Sequence, residues 1–239
     1  MNKVLIITDN KILLNSFRII VLNDSFNSLE FNYACSSLKF ANDNSGVQVV
    51  IVKEKNIDFF KEYNLIISLH CQQLFPEWLF QNINCINVHP GLNPYNRGWY
   101  PQIFSIINGL PIGATIHLID SELDHGNIIA QKEVKAFPWD NSYTLYKKIL
   151  EAEIALIKEN LTNLLTGEYT SYPPPTEGNV NLKKDFTRLL EFDLTQTMTG
   201  LEFINYTRAM THNNFKNLYF IDEETNRKVY IKINLEPEN

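Results

Sequence analysis

The chain has 239 residues, 44% hydrophobic and 20% charged, which is enough to bury a substantial core in one large domain with or without a small appendix. A net charge of −6 disfavours a surface that neutralises phosphate backbones or anionic lipid, so we expect neither nucleic acid nor a membrane as a partner. Three cysteines cannot all pair, and no apolar run approaches the ~20 residues that cross a bilayer, so we expect a cytoplasmic protein.

Short β-branched segments alternate with segments of helical periodicity through the first 140 residues. The segments expected to form strands are 4–9, 47–52, 64–69, 85–89, 114–119 and 127–134, and those expected to form helices include 11–22 and 101–109. This alternation predicts an α/β fold, with a Rossmann-like, mostly parallel sheet covered by helices on both faces.

A long helix and a proline-rich connector follow the last of these strands. Apolar periodicity runs for about 25 residues between a cap at Asn141 or Ser142 and a stop at Gly167. Three consecutive prolines at 173–175 then make a stiff connector. We therefore expect a catalytic domain at 1–170 and a small C-terminal unit at 171–239 that ends in a β-hairpin.

Two polar side chains stand at the carboxyl end of the strand in "INVHPG". The period of two places Asn87 and His89 on one side of that strand and Val88 on the other, just before Pro90 and Gly91 end it. An Asn amide can donate to a developing oxyanion and a neutral His can accept a proton, which together suit acyl transfer. Taken alone, the pair is more typical of a capping Asn and a core His.

A second polar cluster lies in "HLIDSELDHGN". It contains His117, Asp120, Glu122, Asp124 and His125. The carboxylates could orient a His or simply solvate a surface loop, and solvation suits Asp120 and Glu122. Metal binding by His117, Asp124 and His125 matches no recurring ligand spacing, so we expect no metal.

Together the two motifs resemble the folate-dependent formyltransferase family. They are N-x-H-P-G-L-x-P-x-x-R-G at 87–98 and "PIGATIHLIDSELDHGNII" at 111–129, in the order typical of that family. The resemblance implies transfer of a formyl group from N10-formyltetrahydrofolate to an amine. The family's catalytic trio falls on Asn87, His89 and Asp124, and we expect His117 and Asp120 to contact the folate.

Departures from the better-known branches narrow the expected acceptor. After Arg97 and Gly98 the chain continues "WYPQIFSI", which resembles the branch that formylates dTDP-linked amino-dideoxysugars for O-antigen or related surface polysaccharides. We expect 4-amino-4,6-dideoxyglucose rather than its 3-amino isomer. The expected substrate contacts are Arg97, Trp99 and Tyr100 at the sugar and Lys216 and Tyr219 at the nucleotide, although Trp99 also fits a core, Lys216 a solvated charge and Tyr219 a strand.

The alternatives are another small-amine acceptor and a non-catalytic binding module. Residues 171–239 carry 8 Lys and Arg against 10 Asp and Glu, which disfavours a tRNA acceptor. Glycinamide ribonucleotide is disfavoured because the first glycine of the chain is Gly46, so no phosphate-binding glycine loop follows the first strand. The intact catalytic trio argues against a binding module. A hairpin is marginal alone, so we expect a homodimer formed through it.

Overall fold

The computed structural model describes residues 2–22 and 26–238. The strands are β1 Asn2–Thr8, β2 Leu29–Cys35, β3 Val47–Val49, β4 Leu65–Leu69, β5 Asn84–His89, β6 Arg97–Gly98, β7 Ile112–Leu118, β8 Ile128–Val134, β9 Val180–Asn181, β10 Tyr219–Asp222 and β11 Arg227–Tyr230. The helices are α1 Lys11–Val21, α2 Leu38–Asn42, α3 Ile57–Phe60, α4 Glu77–Phe80, α5 Pro101–Asn108, α6 Ser142–Thr166, α7 Lys183–Arg188 and α8 Gly200–Met210.

Seven strands form one sheet in the order β3-β2-β1-β4-β5-β7-β8. The first five pair in parallel, while β7 runs antiparallel to β5 and β8 antiparallel to β7. The predicted Rossmann-like, mostly parallel sheet is therefore confirmed. The carboxyl ends of β1, β4 and β5 meet at one edge, where open sheets of this kind bind ligands.

Apolar cores cover both faces of the sheet. One core joins the sheet to α1 and α6, and it includes Ile86 and Val88 of β5. The other core packs against α3 and α4 and includes Cys85. Because Ile86 and Val88 face α1 and α6, the alternation of the strand turns Asn87 and His89 away from that core, as the sequence pattern predicts.

The predicted long helix is confirmed as α6. The Asn141 side chain accepts hydrogen bonds from the Tyr143 and Thr144 amides, and Thr144 Oγ1 accepts one from the Asn141 amide, which completes a capping box. At the other end Gly167 has φ +77°, the left-handed conformation in which glycine is favoured.

Two strand predictions need correction. The strand β2 was missed because it has no continuous β-branched run, although Leu29, Phe31 and Tyr33 alternate with Glu30 and Asn32 as in a half-buried strand, and it pairs with β1 along six residues. The strand β3 ends at Val49 rather than at residue 52, and residues 52–54 form a short 3-10 helix instead.

The C-terminal segment packs on the sheet domain through a third apolar core that contains α5 and α8 residues. The strand β9 pairs with β6, so the chain after the prolines returns to the loop that follows β5. The predicted hairpin is confirmed as β10 and β11, with Tyr219 opposite Tyr230. In residues 2–22 and 26–238, no helix combines the length and the apolar character needed to span a membrane.

Candidate active site

Pairing between β5 and β7 brings the two sequence motifs together. Asn87 stands opposite His117, and His89 stands opposite Thr115. The Nδ2 group of Asn87 lies 3.2 Å from Nε2 of His117 and donates to Oδ1 of Asp124 at 3.0 Å. The site is therefore assembled from a strand end of each motif and from the loop after β7.

Asp124 lies in the loop after β7, and donors from the segment after β5 hold it in place. The backbone amide of Gly98 donates to Oδ2 at 3.1 Å, and the Asn93 side chain donates to the carbonyl of Asp124 at 2.7 Å. Asp124 itself has φ +49°, a strained conformation for a residue with a side chain. Gly98 has φ +91°, and a Cβ there would meet the Asn181 carbonyl at 2.5 Å, so only glycine supplies this amide.

His89 is buried, and one of its nitrogens has no protein partner. Its Nδ1 lies 3.4 Å from Oδ2 of Asp124, whereas Nε2 has no hydrogen-bond partner. A Cβ at Gly91 would lie 2.5 Å from this Nε2, so a side chain at position 91 would displace the imidazole. A proton on Nδ1 directed at Asp124 leaves the lone pair on Nε2 for a reacting group.

The pKa values of His89 and Asp124 are both lowered, for different reasons. Burial lowers the pKa of His89 from 6.5 to about 4, so the imidazole is neutral at pH 7. Burial alone would raise the pKa of the Asp124 carboxyl, but interactions with His89, His117 and the Gly98 amide outweigh it and hold that pKa well below its usual range. A neutral base beside a carboxylate is the pair that proton abstraction requires.

His117 orients Asn87. Its Nδ1 lies 2.7 Å from the carbonyl of Leu118, so Nδ1 carries the proton and Nε2 accepts from the Asn87 amide. Both hydrogens of the Asn87 amide thus have acceptors in this structure. Donation to an oxyanion would replace one of these two acceptors. Oδ2 of Asp120, which the resemblance places at the folate, lies 2.8 Å from Nδ1 of His125, and its folate role stays a prediction.

The three predicted sugar contacts occupy different environments. Arg97 is buried, and its guanidinium lies 3.4 Å from the carbonyl of Leu123 under the Asp124 loop. Trp99 is half-buried, with Nζ of Lys183 5.3 Å from its ring centre. Tyr100 packs against Phe186, with ring centres 4.4 Å apart.

Lys216 and Tyr219 make their contacts within the C-terminal unit. Nζ of Lys216 lies 5.2 Å from the ring centre of Tyr230. Tyr219 donates to Glu191 at 3.1 Å, and Nζ of Lys228 lies 3.8 Å from its ring centre. A nucleotide role for Lys216 and Tyr219 stays a prediction, as does the expected absence of a metal.

Sequence reasoning missed four polar residues that converge beside the site. Asn10 and His70 follow β1 and β4, while Tyr146 and Glu153 belong to α6. Their side chains form one hydrogen-bonded group in which Nε2 of His70 lies 2.7 Å from Glu153. A signal was present, because Glu153 is the charged member of an otherwise apolar row at a spacing of four residues: Leu145, Ile149, Glu153, Ile157 and Leu161.

The arrangement fits acyl transfer through an oriented base rather than through a cysteine nucleophile. Burial raises the pKa of Cys71 and of Cys85 to about 12, which keeps both as unreactive thiols at pH 7. The remaining candidates are the amide of Asn87, the neutral imidazole of His89 and the carboxylate of Asp124, which lie close together.

Comparison with known proteins agrees with this geometry. Residues 37–161 match the formyl transferase family, and residues 185–237 match the N-formyltransferase dimerization C-terminal domain. A curated relative from Mycobacterium bovis, dTDP-4-amino-4,6-dideoxyglucose formyltransferase, is 47% identical over 193 residues, which span 81% of this chain and 82% of the relative.

Solved structures show the same likeness. A 4-N formyltransferase from Francisella tularensis is 42% identical, with a TM-score of 0.93 over 99% of each chain. A more distant sugar 3-N-formyltransferase, solved in the presence of dTDP and 5-N-formyl-THF, is 25% identical, with a TM-score of 0.70 over 87% of this chain and 79% of that one. The chain therefore belongs to the formyl transferase family.

Proposed function

We propose that this protein transfers the formyl group of N10-formyltetrahydrofolate to the amino group of a dTDP-linked amino-dideoxysugar, with 4-amino-4,6-dideoxyglucose as the favoured sugar. The observation that carries the proposal is the buried Nε2 of His89, which has no hydrogen-bond partner and belongs to an imidazole whose Nδ1 lies 3.4 Å from the Asp124 carboxylate. An amine that attacks a formyl carbon needs an acceptor for its proton at that point.

In this proposal each catalytic residue has one task. Nε2 of His89 takes a proton from the attacking amine and returns it to the departing nitrogen of the folate, so the transfer needs no other proton donor. Asp124 keeps the His89 proton on Nδ1 and stabilises the charge that the imidazole gains. Asn87 exchanges one of its present acceptors for the oxyanion that forms on the formyl oxygen.

The identity of the sugar and the ring position of its amino group are supported by the comparisons. The relatives at 47% and 42% identity are named for a 4-amino sugar and for 4-N transfer, while the 3-N enzyme is 25% identical. The folate donor is supported by the folate bound to that 3-N enzyme. A role in O-antigen or related polysaccharide synthesis rests on the sequence resemblance alone.

Substrate contacts follow from the placement of the predicted residues. Trp99 and Lys183 together offer an aromatic face and a cation beside the loop that binds Asp124, which suits a sugar diphosphate. Arg97 is buried and supports the Asp124 loop, so its contribution to the sugar would be indirect. Lys216 and Tyr219 stay candidates for the nucleotide, and His117 and Asp120 for the folate side.

A homodimer through the C-terminal unit, residues 171–239, belongs to the same proposal. Its support is the match to a dimerization domain over 185–237 and a set of exposed apolar side chains in that unit: Leu194, Leu201, Phe203, Ile204, Val229 and Tyr230.

Incubation of the purified protein with N10-formyltetrahydrofolate and dTDP-4-amino-4,6-dideoxyglucose tests the proposal. Mass spectrometry should show a nucleotide sugar heavier by one formyl group in place of one hydrogen. The 3-amino isomer serves as the matched control and should react more slowly. A protein that leaves both sugars unchanged would overturn the assignment.

A further inference from the structure

The segment around β6 is hydrogen-bonded along both of its edges. On one edge, the amides of Arg97 and Trp99 donate to carbonyls of residues 179–181 at 2.9 and 2.8 Å. On the other edge, the amide of Gly98 donates to Oδ2 of Asp124 at 3.1 Å. Because successive N–H groups of an extended chain point to opposite edges, the placement of residues 179–181 determines where the Gly98 amide points.

The pairing of β9 with β6 is too short to fix its own register. Each strand has two residues. The apolar side chains next to the pairing, Val180 and Leu182, remain 41% and 40% exposed, so apolar packing does not hold β9 in place. A short pairing without a buried apolar face is weakly specified. Another contact has to set the register.

Four side-chain amides supply that contact, and we call them the asparagine cluster: Asn96, Asn108, Asn179 and Asn181. Asn96 lies at its centre and has no exposed surface. Its Oδ1 accepts from the side-chain amides of the other three residues at distances from 2.7 to 3.1 Å. Its backbone amide donates to Oδ1 of Asn179 at 2.9 Å, and its Nδ2 donates to Oγ of Ser105 at 2.9 Å. The cluster thus ties β9 to the residue before β6 and to α5.

Stability alone does not account for an asparagine cluster at this point. Asn96 has φ +50°, a conformation that is uncommon for residues with a side chain. Hydrogen bonds between buried amides contribute little net stability compared with apolar groups of the same shape. A fully bonded polar network is directional, however, and it specifies one arrangement of the segments that it joins. The arrangement specified here is the one that presents the Gly98 amide to Asp124.

We propose that the asparagine cluster positions Asp124: it fixes β9 on β6, and β6 in turn holds the Gly98 amide against the carboxylate. The positioning residues are Asn96, Asn179 and Asn181, and they act through Gly98 rather than on the reacting atoms. This inference rests on the proposed function, in which Asp124 orients the base. A displacement of about 1 Å in such a group can cost roughly 100-fold in rate. Residues 179–181 thereby serve catalysis within their own subunit.

The position of the Gly98 amide can be observed without turnover. Gly98 is the single glycine of the chain that follows an arginine, so ¹³C in the arginine carbonyl and ¹⁵N in glycine isolate its NMR signal. Asp124→Asn gives the position of this signal without the charged acceptor. In Asn96→Gly, which tolerates positive φ, the amide proton signal should move from its wild-type position toward that of Asp124→Asn, because the charge-assisted hydrogen bond lengthens.

Kinetics provide the second readout. Asn96→Gly should lower kcat about 10- to 100-fold while the donor KM stays within about twofold, because the cluster acts on Asp124 and not on the folate. Asn96→Asp keeps the acceptor oxygen for Asn179 and Asn181. It should recover most of kcat and the wild-type Gly98 signal, even though burial of a charge lowers Tm. A merely structural role predicts that kcat follows Tm instead.

Asn213→Gly is the matched control, because Asn213 also has a positive φ, +44°, but its side chain is exposed and lies outside the cluster. Its kcat and its Gly98 signal should equal those of wild type. If Asn96→Gly does not fold, the double variant Asn179→Ala/Asn181→Ala decides, since it removes two donors and leaves the backbone pairing possible.

An unmoved Gly98 signal in the folded variant, or a moved signal with wild-type kcat, would overturn the proposal. A wild-type protein that formylates no amino sugar would overturn the proposed function instead. The Gly98 signal distinguishes these two failures, because it does not depend on turnover.

Discussion

The structure places two histidine–carboxylate pairs at neighbouring strand ends, and they differ in every respect that matters for chemistry. His89 is held loosely, 3.4 Å from Asp124, and keeps a free nitrogen. His70 is held at 2.7 Å by Glu153, and both of its nitrogens are bonded. A histidine beside a carboxylate is thus held loosely in one place and rigidly in the other, and the proposed function assigns the base to the loose one.

The surroundings of each carboxylate explain the difference. Burial raises the pKa of the Asp124 carboxyl, but interactions with His89, His117 and the Gly98 amide outweigh it, while burial keeps His89 neutral. Glu153 has His70 as its hydrogen-bond partner, and burial raises its pKa. Substitutions at the loose pair should therefore change kcat most.

Removal of the amide donor should have the largest effect. Asn87→Ala is expected to lower kcat by roughly 10²- to 10³-fold, because one oxyanion donor contributes about that much. The sugar Kd should stay near the wild-type value. Steady-state kinetics and thermal unfolding measure the two effects, and a folded variant with near-normal kcat would remove Asn87 from the mechanism.

Crowding of Nε2 of His89 should have the second-largest effect on activity. A Cβ at Gly91 would lie 2.5 Å from Nε2 and 2.7 Å from Cδ2 of His89, so Gly91→Ala should displace the imidazole and lower kcat/KM by about 100-fold. Gly200→Ala is the control, since a Cβ there meets no atom within 4 Å. Equal activity of Gly91→Ala and Gly200→Ala would contradict the role proposed for Nε2 of His89.

The loose pair also predicts acid sensitivity. Burial lowers the pKa of His89 from 6.5 to about 4. Between pH 6.5 and pH 4, His89 is therefore protonated in the unfolded chain but neutral in the native chain. The free energy of unfolding should therefore fall as pH falls across that window, by about 3 kcal/mol from this group. Urea unfolding at pH 4.5 and pH 7 should show a smaller drop in His89→Gln than in wild type. An equal drop in both proteins would contradict the low pKa.

The smallest effect on activity is expected at the dimer surface, far from either pair. Val229→Glu should produce monomers in light scattering, because it places a negative charge at an exposed apolar residue of β11 in the proposed interface. Ile19→Glu alters an even more exposed apolar residue on α1 and should leave the dimer intact. An unchanged dimer in Val229→Glu would place the interface elsewhere.

The sequence predicts the loose pair better than the tight one. Asn87 and His89 lie two residues apart at a strand end, so strand periodicity places them on one side, and the family resemblance identifies Asp124 as their partner. The tight pair joins the end of β4 to the middle of α6, a contact that only tertiary packing creates. Glu153 within an apolar row was its local signal. The strand β2 was missed although its residues alternate apolar and polar, because the sequence reading looked for continuous β-branched runs.

Relative acceptor efficiency tests the central claim most directly. With N10-formyltetrahydrofolate as donor, kcat/KM for dTDP-4-amino-4,6-dideoxyglucose should exceed that for glycinamide ribonucleotide or methionyl-tRNA by several powers of ten, since remote contacts to the nucleotide supply energy that the other acceptors cannot use. A higher kcat/KM for either of those two acceptors would contradict the account, even with the chemistry at Asn87, His89 and Asp124 intact.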